Sequence, residues 1–329
     1  MKKTTTLLAL SSFALVATSA FAAGEPVIGL ITKTDTNPFF VKMKEGAEAE
    51  AKKLGAKLLT ASGKSDGDTA AQITALENMA AGGAKTILIT ASGDAISPTV
   101  KKLQAKGVQV IALDSPFEGA DALFATDNYK AGVLIGQYAK AAMAGKPARI
   151  ATLDLFPGHP VGAQRHNGFM KGFGLPAADA TSNELSKDPA VVCMADGFGD
   201  RAKSQTAMEN CLQKNPDINV VYTINEPAAA GAFNALKKAG KEKGVTILSV
   251  DGGCQGIKDA AAGVITATSQ QYPLTMAALG VAAGVSYAKG GKKASGYTDT
   301  GVTLISAKAL PGVDSKDIKT GMDLCWGAK

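Results

Sequence analysis

The stretch Lys106-Gly-Val-Gln-Val-Ile-Ala-Leu-Asp114 returns later in the chain as Lys243-Gly-Val-Thr-Ile-Leu-Ser-Val-Asp251. Each copy reads as a helix end, a glycine stop, a short buried strand and an aspartate at the strand's carboxyl end. A second echo lies upstream of both. Gln72-Ile-Thr-Ala-Leu-Glu-Asn78 leads into Thr86-Ile-Leu-Ile-Thr90, and Gln205-Thr-Ala-Met-Glu-Asn210 leads into Val220-Val-Tyr-Thr223. Matched elements in matched order imply an internal duplication: an α/β chain of two similar, doubly wound, parallel-sheet lobes.

Outward from these segments the same alternation of β-branched runs and amphipathic runs continues. Strands are expected near 27–31, 56–60, 86–90, 108–113, 148–153, 220–223, 246–250 and 265–269. Helices are expected near 39–54, 68–81, 97–106, 128–144, 204–215, 227–239 and 273–288.

Composition narrows the function. The 329 residues are 46% hydrophobic and 19% charged, which suits a globular chain of two ordinary lobes. Net charge is +6, falling to +4 once Lys2 and Lys3 are removed with the segment described next. Basic residues are scattered and aromatics make up only 5%, so no nucleic-acid groove is expected. With two histidines, no Cys-x-x-Cys and no Gly-rich phosphate loop, neither a metal nor a cofactor is expected.

Met1-Lys2-Lys3, the apolar run Leu7 to Val16 and the exit Ala20-Phe21-Ala22 read as a secretory signal over residues 1–22, cut after Ala22. No cysteine stands at the cut, so an unanchored periplasmic or secreted product is expected. Cys193, Cys211, Cys254 and Cys325 then sit in an oxidising compartment, where disulfides are expected. Of three possible pairings we expect Cys193 with Cys211, which flank one short segment, and Cys254 with Cys325, which tethers the C-terminal tail.

Open α/β sheets bind ligands beyond the carboxyl ends of their strands, so two facing lobes place both sets of strand-end loops around one cleft. Those loops carry Lys33, Asp35, Asn37, Thr90, Ser92, Asp94, Asp114, Asp154, Arg165, Asn225, Glu226, Asp251, Gln270 and Gln271. Amides, carboxylates and guanidinium can each engage two neighbouring hydroxyls, which suits a polyhydroxylated ligand. Phe39, Phe40 and Phe198 offer flat apolar walls.

These residues resemble the periplasmic ribose- and galactose-type sugar-binding proteins that serve ATP-driven importers, across nearly all of the chain after the signal. The most specific piece is Asn37-Pro38-Phe39-Phe40 with Val41 to Gly46, similar to the family's ligand-contacting first loop. Asp114, Arg165 within Gln164-Arg-His-Asn-Gly-Phe169, Asn225, Asp251 in Val-Asp-Gly-Gly, and Gln271 before Tyr272-Pro273 follow in family order. Lys33 departs from the small hydroxyl residue of ribose-type members, and Ser115-Pro116-Phe117 replaces their arginine. The loop from Lys33 to Asn37 and the stretch Leu113 to Phe117 look most like the fructose-binding branch.

The resemblance implies lobes of residues 23–126 plus 272–300 and 127–271 plus 301–329, crossing near Thr126, Gln271 and Gly301. It implies a monosaccharide ligand, hinge closure without chemistry, permease subunits of the importer as partners, a chemoreceptor as a further partner, and a monomer. The strand-end reading and the resemblance together give the expected ligand set Lys33, Asn37, Phe39, Phe40, Asp114, Arg165, Phe198, Asn225, Asp251 and Gln271.

Other readings are weighed against it. Asp114 and Asp251 suit the acid and base of a glycosidase, and Gly63-Lys-Ser65-Asp-Gly67 matches a hydrolase elbow. The elbow lacks a late histidine, since the only two are His159 and His166. A receptor for a furanosyl signal would use the same cleft. A regulator of this fold would carry a helix-turn-helix where the signal stands.

Overall fold

The computed structural model describes residues 24–327, so the expected signal segment, residues 1–22, lies outside the described residues. The chain begins with β1 (Val27–Thr32), α1 (Pro38–Leu54), β2 (Lys57–Ser62), α2 (Thr69–Ala81), β3 (Thr86–Ile89), α3 (Ser97–Gln104), β4 (Gln109–Leu113) and β5 (Ala122–Ala125). It continues with α4 (Asn128–Met143), β6 (Ile150–Asp154), α5 (Pro160–Phe173), β7 (Val191–Asp196), α6 (Arg201–Lys214) and β8 (Val220–Thr223). Next come α7 (Glu226–Lys238), β9 (Thr246–Asp251), α8 (Cys254–Ala261) and β10 (Ala267–Gln270). The last elements are α9 (Pro273–Ala288), β11 (Gly296–Asp299), β12 (Thr303–Ser306) and α10 (Ile318–Leu324).

Two six-stranded sheets form, ordered β2-β1-β3-β4-β5-β11 and β7-β6-β8-β9-β10-β12. The orders correspond strand for strand, and β4 and β9, the two echoed segments, occupy the same place in each sheet. Among the described residues, only β12 runs antiparallel to its neighbour. The chain passes between sheets after β5, after β10 and after β11.

Each sheet is covered on both faces. Met43 of α1 and Met276 and Val281 of α9 pack on one face of the first sheet, and Leu76 of α2 and Val100 of α3 on the other. In the second lobe Ile135 of α4 and Phe169 of α5 cover one face, Met208 of α6 and Leu236 of α7 the other. This is why β3, β4 and β6 are buried along their whole length and read as apolar runs, not alternations.

Helix boundaries follow local chemistry. Asn37 caps α1 by accepting the Phe39 amide at 3.0 Å, Pro38 fills the first helical position, and Gly55 ends the helix at φ 65°. The pattern does not predict β5, β7, β11, β12, α5, α8 and α10, and three of these leave weak signals. All four residues of β11 are exposed, β5 has only four residues, and α5 holds three glycines.

Both expected disulfides are present, Cys193–Cys211 and Cys254–Cys325, closing separations of 18 and 71 residues. Loop-closure entropy makes the longer bridge worth about 4 kcal/mol against about 3 for the shorter. Urea denaturation of C254A/C325A and C193A/C211A should therefore show the larger loss in the first. Equal losses would remove the entropic account.

Candidate functional site

Lys33, Asn37, Phe39, Phe40, Asp114, Arg165, Asn225, Asp251 and Gln271 line one cavity between the lobes, together with Asp66, Leu155, Val161 and Ile224. Asp114 follows β4 in one lobe and Asp251 ends β9 in the other. Both have positive φ, 60° and 142°, a conformation that costs energy outside glycine. The second is held by its surroundings. The Gly252 and Gly253 amides donate to the Glu226 carboxylate at 2.8 and 3.1 Å, and Gln271 Nε2 donates to Asp251 Oδ1 at 2.7 Å.

Arg165, on α5, stands between the two aspartates. Its Nη2 is 3.9 Å from Asp114 Oδ1 and its Nη1 is 3.9 Å from Asp251 Oδ1. These are ion-pair distances, too long for hydrogen bonds. The guanidinium is positioned instead by Nε donating to Asn128 Oδ1 at 2.7 Å and Nη1 donating to the Ile224 carbonyl at 2.9 Å. Asp114 Oδ1 and Gln271 Oε1 are buried and accept no hydrogen bond from the protein. Opposite charges offset one another in part across the cleft while hydrogen-bonding capacity is left over, which suits gripping a neutral molecule rich in hydroxyls.

Two amides serve twice. Asn37 and Asn225 accept helix amides as caps of α1 and α7. Asn225 Nδ2 also donates to the Gly199 carbonyl at 3.1 Å. The apolar wall begins with Phe39, edge-on to Phe40 at 5.4 Å and to Trp326 at 5.7 Å. Trp326 was not anticipated. It donates to the Gln271 carbonyl at 2.8 Å and follows the disulfide-tethered Cys325, so the C-terminal tail braces the first loop.

Phe198 is a correction: it does not line the cavity. The Gly197-Phe198-Gly199 turn gives it φ 55° and sends the ring outward, 37% exposed, with Lys203 Nζ 4.5 Å from its centroid. Leu155, Val161 and Ile224 supply apolar lining in its place. Of the wider strand-end set, Asp154 is committed inside its lobe, accepting Thr152 Oγ1 at 2.6 Å and meeting His166 Nδ1 at 3.0 Å. The hydrolase elbow is a helix start. Ser65 is exposed, and Asp68 accepts the Lys64 and Ala71 amides at 3.0 and 3.1 Å.

Burial pushes the Asp251 carboxyl up to about 6, against the pull of Arg165 and the Gln271 bond, with the Asp114 charge adding to the rise. A carboxyl raised in the folded chain holds its proton longer than in the unfolded chain. Its penalty on folding grows as pH rises from the ordinary value of 3.8 and is complete above about 6. The melting temperature of the parent relative to D251N should therefore rise on going from pH 7 to pH 5. An unchanged difference would contradict the assignment.

Comparison with known proteins gives concordant results. A family model described as a periplasmic binding protein domain matches residues 28–293. The ribose import binding protein RbsB of Salmonella typhimurium is 33% identical over 301 residues, covering 90% of this chain and 96% of that protein. The D-allose-binding periplasmic protein of Escherichia coli is 29% identical, covering 84% of this chain and 89% of that one. Among solved structures, a periplasmic solute binding protein of an ABC transporter from Actinobacillus succinogenes with bound D-allose superposes at TM-score 0.75 with 25% identity, covering 86% and 98% of the two chains.

Proposed function

The chain belongs to the periplasmic binding protein family, and from that premise we propose that it captures one monosaccharide between its lobes and delivers it unchanged to the permease of an ATP-driven importer. It is a binding protein and not an enzyme, as its relatives are. The observation that carries the sugar reading is the Arg165 guanidinium 3.9 Å from a carboxylate of each lobe, beside buried oxygens that accept nothing from the protein. Hydroxyls entering there meet acceptors from both lobes at once, so ligand favours the closed arrangement by differential contact.

Two relatives are named for ribose and allose. Fructose is the sugar we favour, on the likeness of the Lys33 to Asn37 loop and the Leu113 to Phe117 stretch to the fructose-binding branch. The working compartment is the periplasm, reached through the segment ending at Ala22, and the working unit is the monomer. Calorimetric titration of the mature chain against fructose, ribose, allose, galactose, xylose and inositol should give one saturable site with a single preferred sugar. No heat with any of them, or release of product from a disaccharide, would overturn the proposal.

A further inference from the structure

A second polar group faces the same cavity. Lys33, just beyond β1, points its Nζ to within 2.9 Å of Nε2 of His159, the residue before α5 in the opposite lobe. Asp66, in the loop between β2 and α2, sits beside this contact. Its Oδ1 is 3.9 Å from Lys33 Nζ and 4.0 Å from His159 Nε2, both too long for hydrogen bonds. That oxygen is fully buried and has no hydrogen-bond partner in the protein, although Asp66 lines the cavity.

The arrangement repeats the one around Arg165: opposite charges near enough to balance and too far apart to satisfy each other. A buried carboxylate oxygen without a donor bears its full desolvation cost, and native structures rarely leave one so. The donor must come from whatever fills the cavity. Burial raises the Asp66 carboxyl and the Lys33 charge draws it back down, so Lys33 helps keep Asp66 in the acceptor-only form.

Resting on the reading of the cavity as a sugar site, we propose that Asp66 is a specificity residue whose Oδ1 accepts a hydrogen bond from one particular hydroxyl of the bound monosaccharide. Sites built to hydrogen-bond a hydroxyl reject the analogue that lacks it, because their own buried group is then left unpaired.

The test pairs the protein change with the matching ligand change. The parent and D66A are titrated calorimetrically with fructose, ribose and allose and with deoxy analogues of whichever binds. One deoxy position should cost the parent at least about tenfold in affinity and cost D66A less than about twofold. If every deoxy sugar loses the same factor in both proteins, Asp66 makes no ligand contact and the inference falls, while the sugar reading stands. If the parent binds no sugar, both fall. Should D66A fail to fold, a crystal structure of the parent with its sugar decides. A hydroxyl oxygen about 2.7 Å from Oδ1 supports the inference, and an oxygen facing only protein or solvent overturns it.

Discussion

Replacing Arg165 with alanine is expected to weaken sugar binding about a hundredfold or more. Among the described residues, Arg165 is the one cation placed 3.9 Å from both Asp114 and Asp251. It is 4% exposed, so its removal leaves two buried carboxylates with only the more distant Lys33 of the cavity lining to offset their repulsion. Truncating one partner of a buried charged pair costs about 2–5 kcal/mol, most of it from the charge left behind. Both proton release from Asp251 and closure of the lobes would become harder. R165K keeps the charge but not the planar fork, nor the Nε bond to Asn128, and should recover only part of the loss. Calorimetry on folded variants checks this. R165A binding within threefold of the parent would remove the guanidinium from the site.

How much of this could be read beforehand depends on what kind of signal each residue leaves. The two lobes were legible because β4 and β9 are buried on both faces, and such strands write themselves as apolar runs with a glycine before and an aspartate after. Of the nine cavity residues, Lys33, Asn37, Asp114, Asn225, Asp251 and Gln271 stand at or beyond strand ends, which are fixed points with the cleft beyond them. Phe39 and Phe40 on α1 and Arg165 on α5 are legible instead through the resemblance to the family's motifs. Phe198 was misplaced because a ring's direction depends on backbone φ at one glycine-flanked turn, which no hydrophobic pattern encodes.

Asp66 was hidden inside a Gly-Ser turn that matched another motif. Its role appears only when His159 of the opposite lobe arrives beside Lys33. Trp326 left no trace at all. A single aromatic near a chain end becomes informative only once the disulfide fixes Cys325 and sets the indole against Phe39.

Substituting alanine for Gly132, or for Gly168, is expected to cost the second lobe several kcal/mol despite the gain in helix propensity. The helices α4 and α5 approach backbone to backbone through four glycines. A Cβ on Gly132 would stand 2.1 Å from the Arg165 carbonyl oxygen, and one on Gly168 would stand 2.1 Å from the Tyr129 carbonyl oxygen. Gly136 and Gly172 make the same approach one turn on, at 2.2 and 2.1 Å. Alanine gains about 1 kcal/mol over glycine inside a helix. Overpacking a tight core costs about 1–3 kcal/mol even when side chains can shift, and here the obstructing atoms are main chain.

Gly46 of α1 is the contrast. Its nearest obstruction is the end of the Leu274 side chain at 2.9 Å, which can rotate away, and the Leu274 Cα at 3.2 Å asks for a shift of only a few tenths of an ångström, so G46A should sit nearer the parent. Urea denaturation ranks the three variants, and G132A as stable as the parent would refute the close helix pair. The consequence reaches the ligand. The carbonyl that Gly132 meets belongs to Arg165 itself, so forcing α5 outward shifts the guanidinium relative to Asp114, which another lobe holds in place. Affinity in G132A should fall further than its stability alone explains.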